Sequence, residues 1–164
     1  MTFPTPSLGQ GVAVDRGVEI VLRDGTVTRG DLFRPADAGT VPCLLQQIPY
    51  GRSRSALSIV DAALEPFLAV EEGFAVLIQD IRGTGGSGGT FKLFDGAAGD
   101  GADVVEWIAA QPWSDGTVCT FGTSYSGYTA LATAAASDRV KAISTVLRGA
   151  STRWTGLSAS LAAR

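Results

Sequence analysis

The residues of this chain that could carry covalent chemistry gather in one short segment, VCTFGTSYSGYTALATAAA, which runs from Val118 to Ala136. An apolar run ends at Gly122, Ser124 follows two residues later, and a stretch rich in alanine and glycine begins at once. A strand that turns sharply into a helix lifts a serine hydroxyl clear of the backbone and aims the helix N-terminus at it. It also offers the amide of the next residue, Tyr125, to a developing oxyanion. Gly122 and Gly127 are expected to give the turn its room. The pattern is Gly-x-Ser-x-x-Gly, with Ser126 where the commoner Gly-x-Ser-x-Gly has glycine. A serine at this place can also serve as a plain helix cap, but a strand before it and a helix after it favour a nucleophile.

A serine alcohol is a poor nucleophile at neutral pH and needs a base to take its proton. The sequence contains no histidine. Its two lysines, Lys92 in a glycine-rich stretch and Lys141 at the start of a strand-like run, are both expected away from Ser124. A Ser-Lys dyad is therefore not the expected solution, and the base must come from elsewhere.

The elements that position Ser124 follow from hydrophobic patterning. VAVDRGVEIVLRDGTVTRGDLFRPA has β-branched stretches on both sides of Asp24-Gly25, a dipeptide suited to a hairpin turn. Val41 to Ile48 is almost continuously apolar, as in a strand buried on both faces, and Pro49-Tyr50-Gly51 ends it. Residues 52–65 are mixed, and Pro66 implies a helix that starts near Glu65. FAVLIQDI, residues 74–81, reads as a buried strand. DGADVVEWIAAQ sets Val104, Val105 and Ile108 at helical spacing, with Asp100 and Asp103 suited to the first turn. TVCTFG (117–122) is a strand, YSGYTALATAAAS a small-residue helix, and VKAISTVL (140–147) a further strand. Alternation of this kind builds an α/β fold, a mainly parallel sheet with helices on both faces, here begun by an antiparallel hairpin.

Composition narrows the classes. With 164 residues, 45% hydrophobic and 18% charged, the chain suits one globular domain with a real core. A net charge of −3 gives no basic footprint for nucleic acid or anionic membrane. No apolar run reaches the ~18–20 residues of a membrane span, and MTFPTPSLGQG lacks the regions of a signal peptide, so the expected location is cytoplasmic. Cys43 and Cys119 sit in apolar strands and are expected as reduced, packing thiols. Neither a metal site nor a cofactor is expected. Gly83-Thr-Gly85-Gly-Ser-Gly88 spells a dinucleotide fingerprint, but no helix opens directly after it to hold a pyrophosphate. In QPWSDG, Trp113 and Asp115 are expected in packing and turn roles.

Four segments, RDGTVTRGDLFRP, PCLLQQIPYGRS, EEGFAVLIQDIRGTGGSGGTF and EWIAAQPWSDGTVCTFGTSYSGYT, resemble in order and spacing the cocaine esterase and X-Pro dipeptidyl-peptidase family of serine hydrolases. The resemblance covers roughly residues 12 to 147. It implies an α/β-hydrolase fold, with the serine of Gly-x-Ser-Tyr-x-Gly, here Ser124, as nucleophile. It also implies that the tyrosine of the Pro-Tyr pair, here Tyr50, donates its hydroxyl to the oxyanion hole. Tyr50 and Ser124 both lie just beyond strand ends, where parallel α/β sheets collect their sites. A phenol and the Tyr125 amide would make a two-point oxyanion hole, each donor worth on the order of 3 kcal/mol. In such enzymes the glycine-rich loop is a structural turn, which makes Asp80 and Arg82 a local ion pair or loop brace. Trp154 falls where relatives put aromatic residues around the acyl pocket, although packing serves it equally well.

The family's acid and histidine follow later strands and a helical cap, and a jelly-roll domain comes after. Residues 1–10 therefore read as an extension, 11–150 as the N-terminal part of the catalytic domain, and 151–164 as the start of the cap region. Leu157 and Leu161 begin a helical stripe without a C-cap, so the chain is expected to be unfinished. The expected function is the nucleophile-bearing part of an esterase, amidase or peptidase acting on a small-molecule ester or amide. Its His and Asp would be supplied by a second polypeptide or a missing C-terminal part. An acyltransferase with the same acyl-enzyme and a non-catalytic binding or scaffold domain are the alternatives.

Overall fold

A computed structural model of the chain describes residues 11–52 and 64–146, with Val146 described by its backbone alone. Strands β1 (Val12–Val21) and β2 (Val27–Pro35) form the expected antiparallel hairpin. Its turn is closed by bonds from Leu22 N to Thr26 O and from Gly25 N to Leu22 O, both 2.9 Å. Asp24 Oδ1 accepts from Thr26 N at 2.9 Å, as a short carboxylate in a turn does. Strands β3 (Val41–Ile48), β4 (Ala75–Asp80), β5 (Ser114–Thr123) and β6 (Val140–Val146) complete a six-stranded sheet in the order β1-β2-β4-β3-β5-β6. The β2–β4 pairing is antiparallel, while β4–β3, β3–β5 and β5–β6 are parallel.

Helices cover both faces. Helix α1 (Pro66–Glu71) begins where Pro66 predicts, with the Glu65 carboxylate accepting from Leu68 N at 2.9 Å. It sets Ala69 and Val70 against Phe33, Ile48, Val76, Ile78 and Phe121. Helix α2 (Ala97–Ala109) puts Val104, Val105 and Ile108 onto Leu45, Leu77 and Val118 on the opposite face. Burial of each such side chain is worth about 1.5–3 kcal/mol, so both faces help to hold the sheet. Helix α2 starts three residues ahead of Asp100, because Gly96 in a left-handed conformation (φ 77°) ends the loop without any side-chain cap. Asp103 then lies beyond the first turn, where it holds Arg23 through bonds of 2.8 Å to the backbone N and to Nε. Helix α3 (Tyr125–Ala136) packs beside α2 on the same face.

A buried polar chain crosses the sheet beneath α3. Thr133 Oγ1 donates to Gln47 Oε1 (2.6 Å), Gln47 Nε2 to Gln79 Oε1 (2.8 Å), and Gln79 Nε2 to Thr28 Oγ1 (2.7 Å). Thr28 in turn donates to Ile20 O at 3.2 Å. A slip of any strand would strand a buried amide, so this chain fixes the register of β2, β4 and β3 against α3. Cys43 aligns with Val118, so Cys119 faces the other side of the sheet; both thiols are free, and burial pushes both up from their usual range. No helix among the described residues is long and apolar enough to cross a membrane. The expected extension, residues 1–10, and the segment 151–164 with Trp154 lie outside the described residues.

Candidate active site

Ser124 occupies the single residue between β5 and α3, with φ 58° and ψ −119°. A non-glycine residue held there costs about 1–3 kcal/mol, and it persists only if its surroundings over-determine it. Here they do. Strand β5 is paired on both sides, Thr129 Oγ1 of α3 donates to Gln47 O at 2.8 Å, and Thr120 Oγ1 of β5 donates to Ala130 O at 3.1 Å. The strand and helix approach so closely that a Cβ on Gly122 would lie 2.5 Å from the Ser126 carbonyl carbon. Ser124 is exposed, and its side chain makes no capping bond to α3, while its carbonyl accepts the first helical bond from Tyr128 N at 3.1 Å. Of the two readings of a serine at this place, the geometry matches a presented hydroxyl and departs from a helix cap.

Tyr50 leaves the sheet at the end of β3, the strand next to β5. Their register pairs Leu45 with Thr120; continued three residues further, it sets Ile48 opposite Thr123, so both chains leave the sheet at the same level. Tyr50 is 49% exposed. Tyr125 is clamped: its ring stacks on Phe94 (centroids 5.3 Å) and tilts against Phe91 (5.9 Å), and its hydroxyl accepts from Phe94 N at 3.2 Å. Tyr128 Oη donates to Phe94 O at 3.0 Å, and burial pushes its phenol up, keeping the proton in place for that bond. Phe94 itself adopts φ 58°. The loop before α2 therefore grips the first turn of α3 through four aromatic rings, a contact that strand and helix periodicity cannot reveal.

The expected pairing of Asp80 with Arg82 does not form. Arg82 turns away to Asp100 (NH2 to Oδ1, 2.7 Å) and Asp24 (NH1 to Oδ2, 2.7 Å), tying the hairpin turn to the start of α2. Asp80 turns to Arg52 and accepts from both its backbone N (2.6 Å) and its guanidinium. The glycine-rich loop wraps the other side of that carboxylate: Gly86 N donates to Asp80 Oδ2 at 2.9 Å, and a Cβ on Gly85 would strike it. Asp80 and Arg82 lie two positions apart, a spacing that would put both on one face of an unbroken strand, but the chain bends at the end of β4 between them. The loop does brace the strand ends, but through Asp80–Arg52.

Lys141 donates to Asp138 O at the amino end of β6, the opposite end of the sheet from Ser124, while Lys92 is exposed beside Asp95. Trp113 packs against the α2-side core and Asp115 Oδ1 accepts from Thr117 N at 2.7 Å, the packing and turn roles expected. Among the described residues no group of three His, Cys, Asp or Glu side chains could hold a metal ion. A cleft of about 410 Å³, its open mouth included, lies beside the elbow between Tyr125, Phe91, Arg82 and Gln79.

Comparison with known proteins bears on the fold and the family. The X-Pro dipeptidyl-peptidase (S15 family) matches residues 24–158. Cocaine esterase from Rhodococcus sp. (strain MB1 Bresler) is 39% identical over 118 residues, covering 71% of this chain and 20% of that protein. An aminopeptidase from the marine sediment archaeon Thaumarchaeota archaeon superposes with a TM-score of 0.70 at 24% identity, over 87% of this chain and 26% of that one. A CocE/NonD family hydrolase from Staphylococcus aureus gives 0.72 at 22% identity, over 85% and 32%. The two structures establish the shared α/β-hydrolase-type fold. The chain spans about a fifth of the esterase's length. With the elbow at Ser124 in place and most of its length matched, the chain belongs to the X-Pro dipeptidyl-peptidase (S15) family of hydrolases, of which it represents an N-terminal part.

Proposed function

We propose that this chain is the nucleophile-bearing part of a serine hydrolase that cleaves small ester or amide substrates through an acyl-enzyme at Ser124. The observation that carries the proposal is the backbone of Ser124, a non-glycine residue at φ 58° that presents an exposed, uncapped hydroxyl on a strand-to-helix turn. Strain of this kind serves no packing purpose here and is retained where a side chain must be aimed.

In the proposed reaction Ser124 Oγ attacks the acyl carbon as a histidine from outside this sequence takes its proton. The oxyanion forms within reach of the Tyr50 hydroxyl and the Tyr125 amide, and the amide is held by the ring clamp on Phe94. The histidine then protonates the leaving alcohol or amine as the tetrahedral intermediate collapses. Water, deprotonated by the same base, releases the acid and restores Ser124. The histidine and its aspartate come from the rest of the polypeptide or from a second chain.

The test uses the complete, histidine-bearing hydrolase and 4-nitrophenyl acetate. Ser124→Ala is expected to abolish turnover, and Tyr50→Phe to lower kcat about 10²–10³-fold with little change in KM, as loss of one oxyanion donor does. A folded Ser124→Ala enzyme with undiminished turnover would overturn the proposal in favour of a non-catalytic elbow.

A further inference from the structure

Tyr50 presents a problem of placement. Among the described residues no hydrogen bond or ring contact holds its side chain, and the residue is half exposed. An oxyanion donor must nevertheless be pre-positioned, because its contribution depends on needing no reorganisation as charge develops. Among the described residues the placement of the Tyr50 hydroxyl rests on the backbone of residues 49–51, and that backbone is pinned at both ends to the end of β4. On one side Ile48 O accepts from Ile81 N at 3.0 Å. On the other, Gly51 bends the chain (φ 90°) and delivers Arg52, whose backbone N donates to Asp80 Oδ1 at 2.6 Å.

Arg52 adds its whole side chain to that second pin. Its guanidinium pairs with Asp80 Oδ2, and its Nε donates to Asp31 Oδ1 at 2.8 Å, so the two ends of the fork grip β4 and β2 separately. The side chain of Arg52 is 16% exposed, and the two carboxylates only 1% and 3%. Both acids are further saturated, Asp80 by Gly86 N and Asp31 by Gly17 N (2.9 Å) and Arg16 NH1 (2.7 Å). Two buried carboxylates and two guanidiniums thus balance in charge. A planar, forked cation satisfies this geometry and an ammonium does not, because the donors of a lysine all radiate from one nitrogen, whereas Arg52 meets the two carboxylates with two different nitrogens. A close approach completes the cage: a Cβ on Gly86 would lie 2.8 Å from Arg52 NH1.

We infer that Arg52 is the positioning residue of the oxyanion hole, its ion pairs with Asp80 and Asp31 fixing the three-residue span on which Tyr50 rides. Arg52 touches no reacting atom in this scheme and acts only through Tyr50. The inference rests on the proposed role of Tyr50 as oxyanion donor. It also gives the glycine-rich loop a purpose, that of wrapping Asp80 closely enough for the carboxylate to hold Arg52.

A double-mutant cycle on the complete hydrolase tests this with 4-nitrophenyl acetate, reading kcat and KM separately and checking each variant's thermal midpoint. Arg52→Lys keeps the charge and loses the fork; it is expected to lower kcat on the order of 10-fold with KM within twofold, since loosened placement of a catalytic group costs rate. Asp31→Asn, which removes the charge of one of the two carboxylates that hold Arg52, is expected to move kcat in the same direction by a smaller factor and serves if Arg52→Lys does not fold. In a Tyr50→Phe background either substitution is expected to change kcat less than twofold, because the group being positioned is gone. Equal losses of kcat with and without Tyr50 would overturn the inference while leaving Tyr50 its role. A Tyr50→Phe enzyme with unchanged kcat would instead remove the role itself, and the inference with it.

Discussion

Adding a single methyl group at Gly122 should damage the elbow more than any other change of that size. A Cβ there would lie 2.5 Å from both the carbonyl carbon and the Cβ of Ser126, and 2.6 Å from the Ser126 carbonyl oxygen. Carbon atoms in contact need about 3.5 Å, so strand and helix must separate by about 1 Å. Two of the three obstructing atoms are backbone, and no rotamer change relieves them. Thr129 ties α3 to Gln47 and Thr120 ties β5 to Ala130, which restricts how the two elements can part. Overpacking of this kind costs about 1–3 kcal/mol, and a shift of about 1 Å at the reacting group costs on the order of 10²-fold in rate. Gly122→Ala in the complete hydrolase is therefore expected to lose about 2 kcal/mol in urea unfolding and about 10²-fold in kcat/KM for 4-nitrophenyl acetate. A variant within about 0.5 kcal/mol of the parent and unchanged in rate would refute the close approach of Gly122 to Ser126 as the source of the elbow's geometry.

Other consequences are as direct. Ser126 Oγ is buried with no hydrogen-bond partner among the described residues, so Ser126→Ala should leave stability unchanged or raise it by up to about 1 kcal/mol; a loss beyond about 0.5 kcal/mol in urea unfolding would show that the hydroxyl is satisfied. Three carboxyls titrate low in the folded chain. The bond to Arg82 holds Asp24 at about 2, the bond to Arg23 lowers Asp103, and for Asp31 burial pushes upward but the Arg16, Gly17 and Arg52 donors outweigh it. Unfolded aspartates titrate near about 3.9, so the folded state binds fewer protons and stability rises with pH. That contribution is complete above about pH 5 and is lost as pH falls through the folded values. The thermal midpoint should accordingly drop on acidification, less steeply in Arg23→Gln, and a midpoint that is flat or rises toward low pH would contradict the ion-pair geometry.

Local chemistry in the sequence carried much of the fold. Asp24-Gly25 marks the hairpin, the unbroken apolar run from Val41 to Ile48 marks a strand covered on both faces, and Pro66 marks the start of α1. These signals survive because each concerns residues within a few positions of one another. The start of α2 is not legible in the sequence because Gly96 caps it by conformation, with no side-chain bond to advertise it. Arg52 and Asp80 are 28 residues apart, and nothing in either segment names the other. Proximity in sequence favoured Arg82, which the bend after β4 sends to α2. The same limit hid the Gln47–Gln79–Thr28 chain and the grip of Phe94 on Tyr125, since both depend on β4 inserting between β2 and β3 and on a loop folding back over α3. Ser124, by contrast, was legible because strand, turn and helix are contiguous. The place of Tyr50 just beyond a strand end was legible because it follows the apolar run that closes at Ile48.

The most direct measurement is fluorophosphonate labelling followed by peptide mapping, run on the complete histidine-bearing hydrolase and on the 164-residue chain alone. An adduct on Ser124 of the complete protein, absent from its Ser124→Ala variant and from the histidine-free chain, is the predicted result. A folded, ester-hydrolysing complete protein that carries its adduct on another residue, or none at all, would contradict the assignment of Ser124 as the nucleophile.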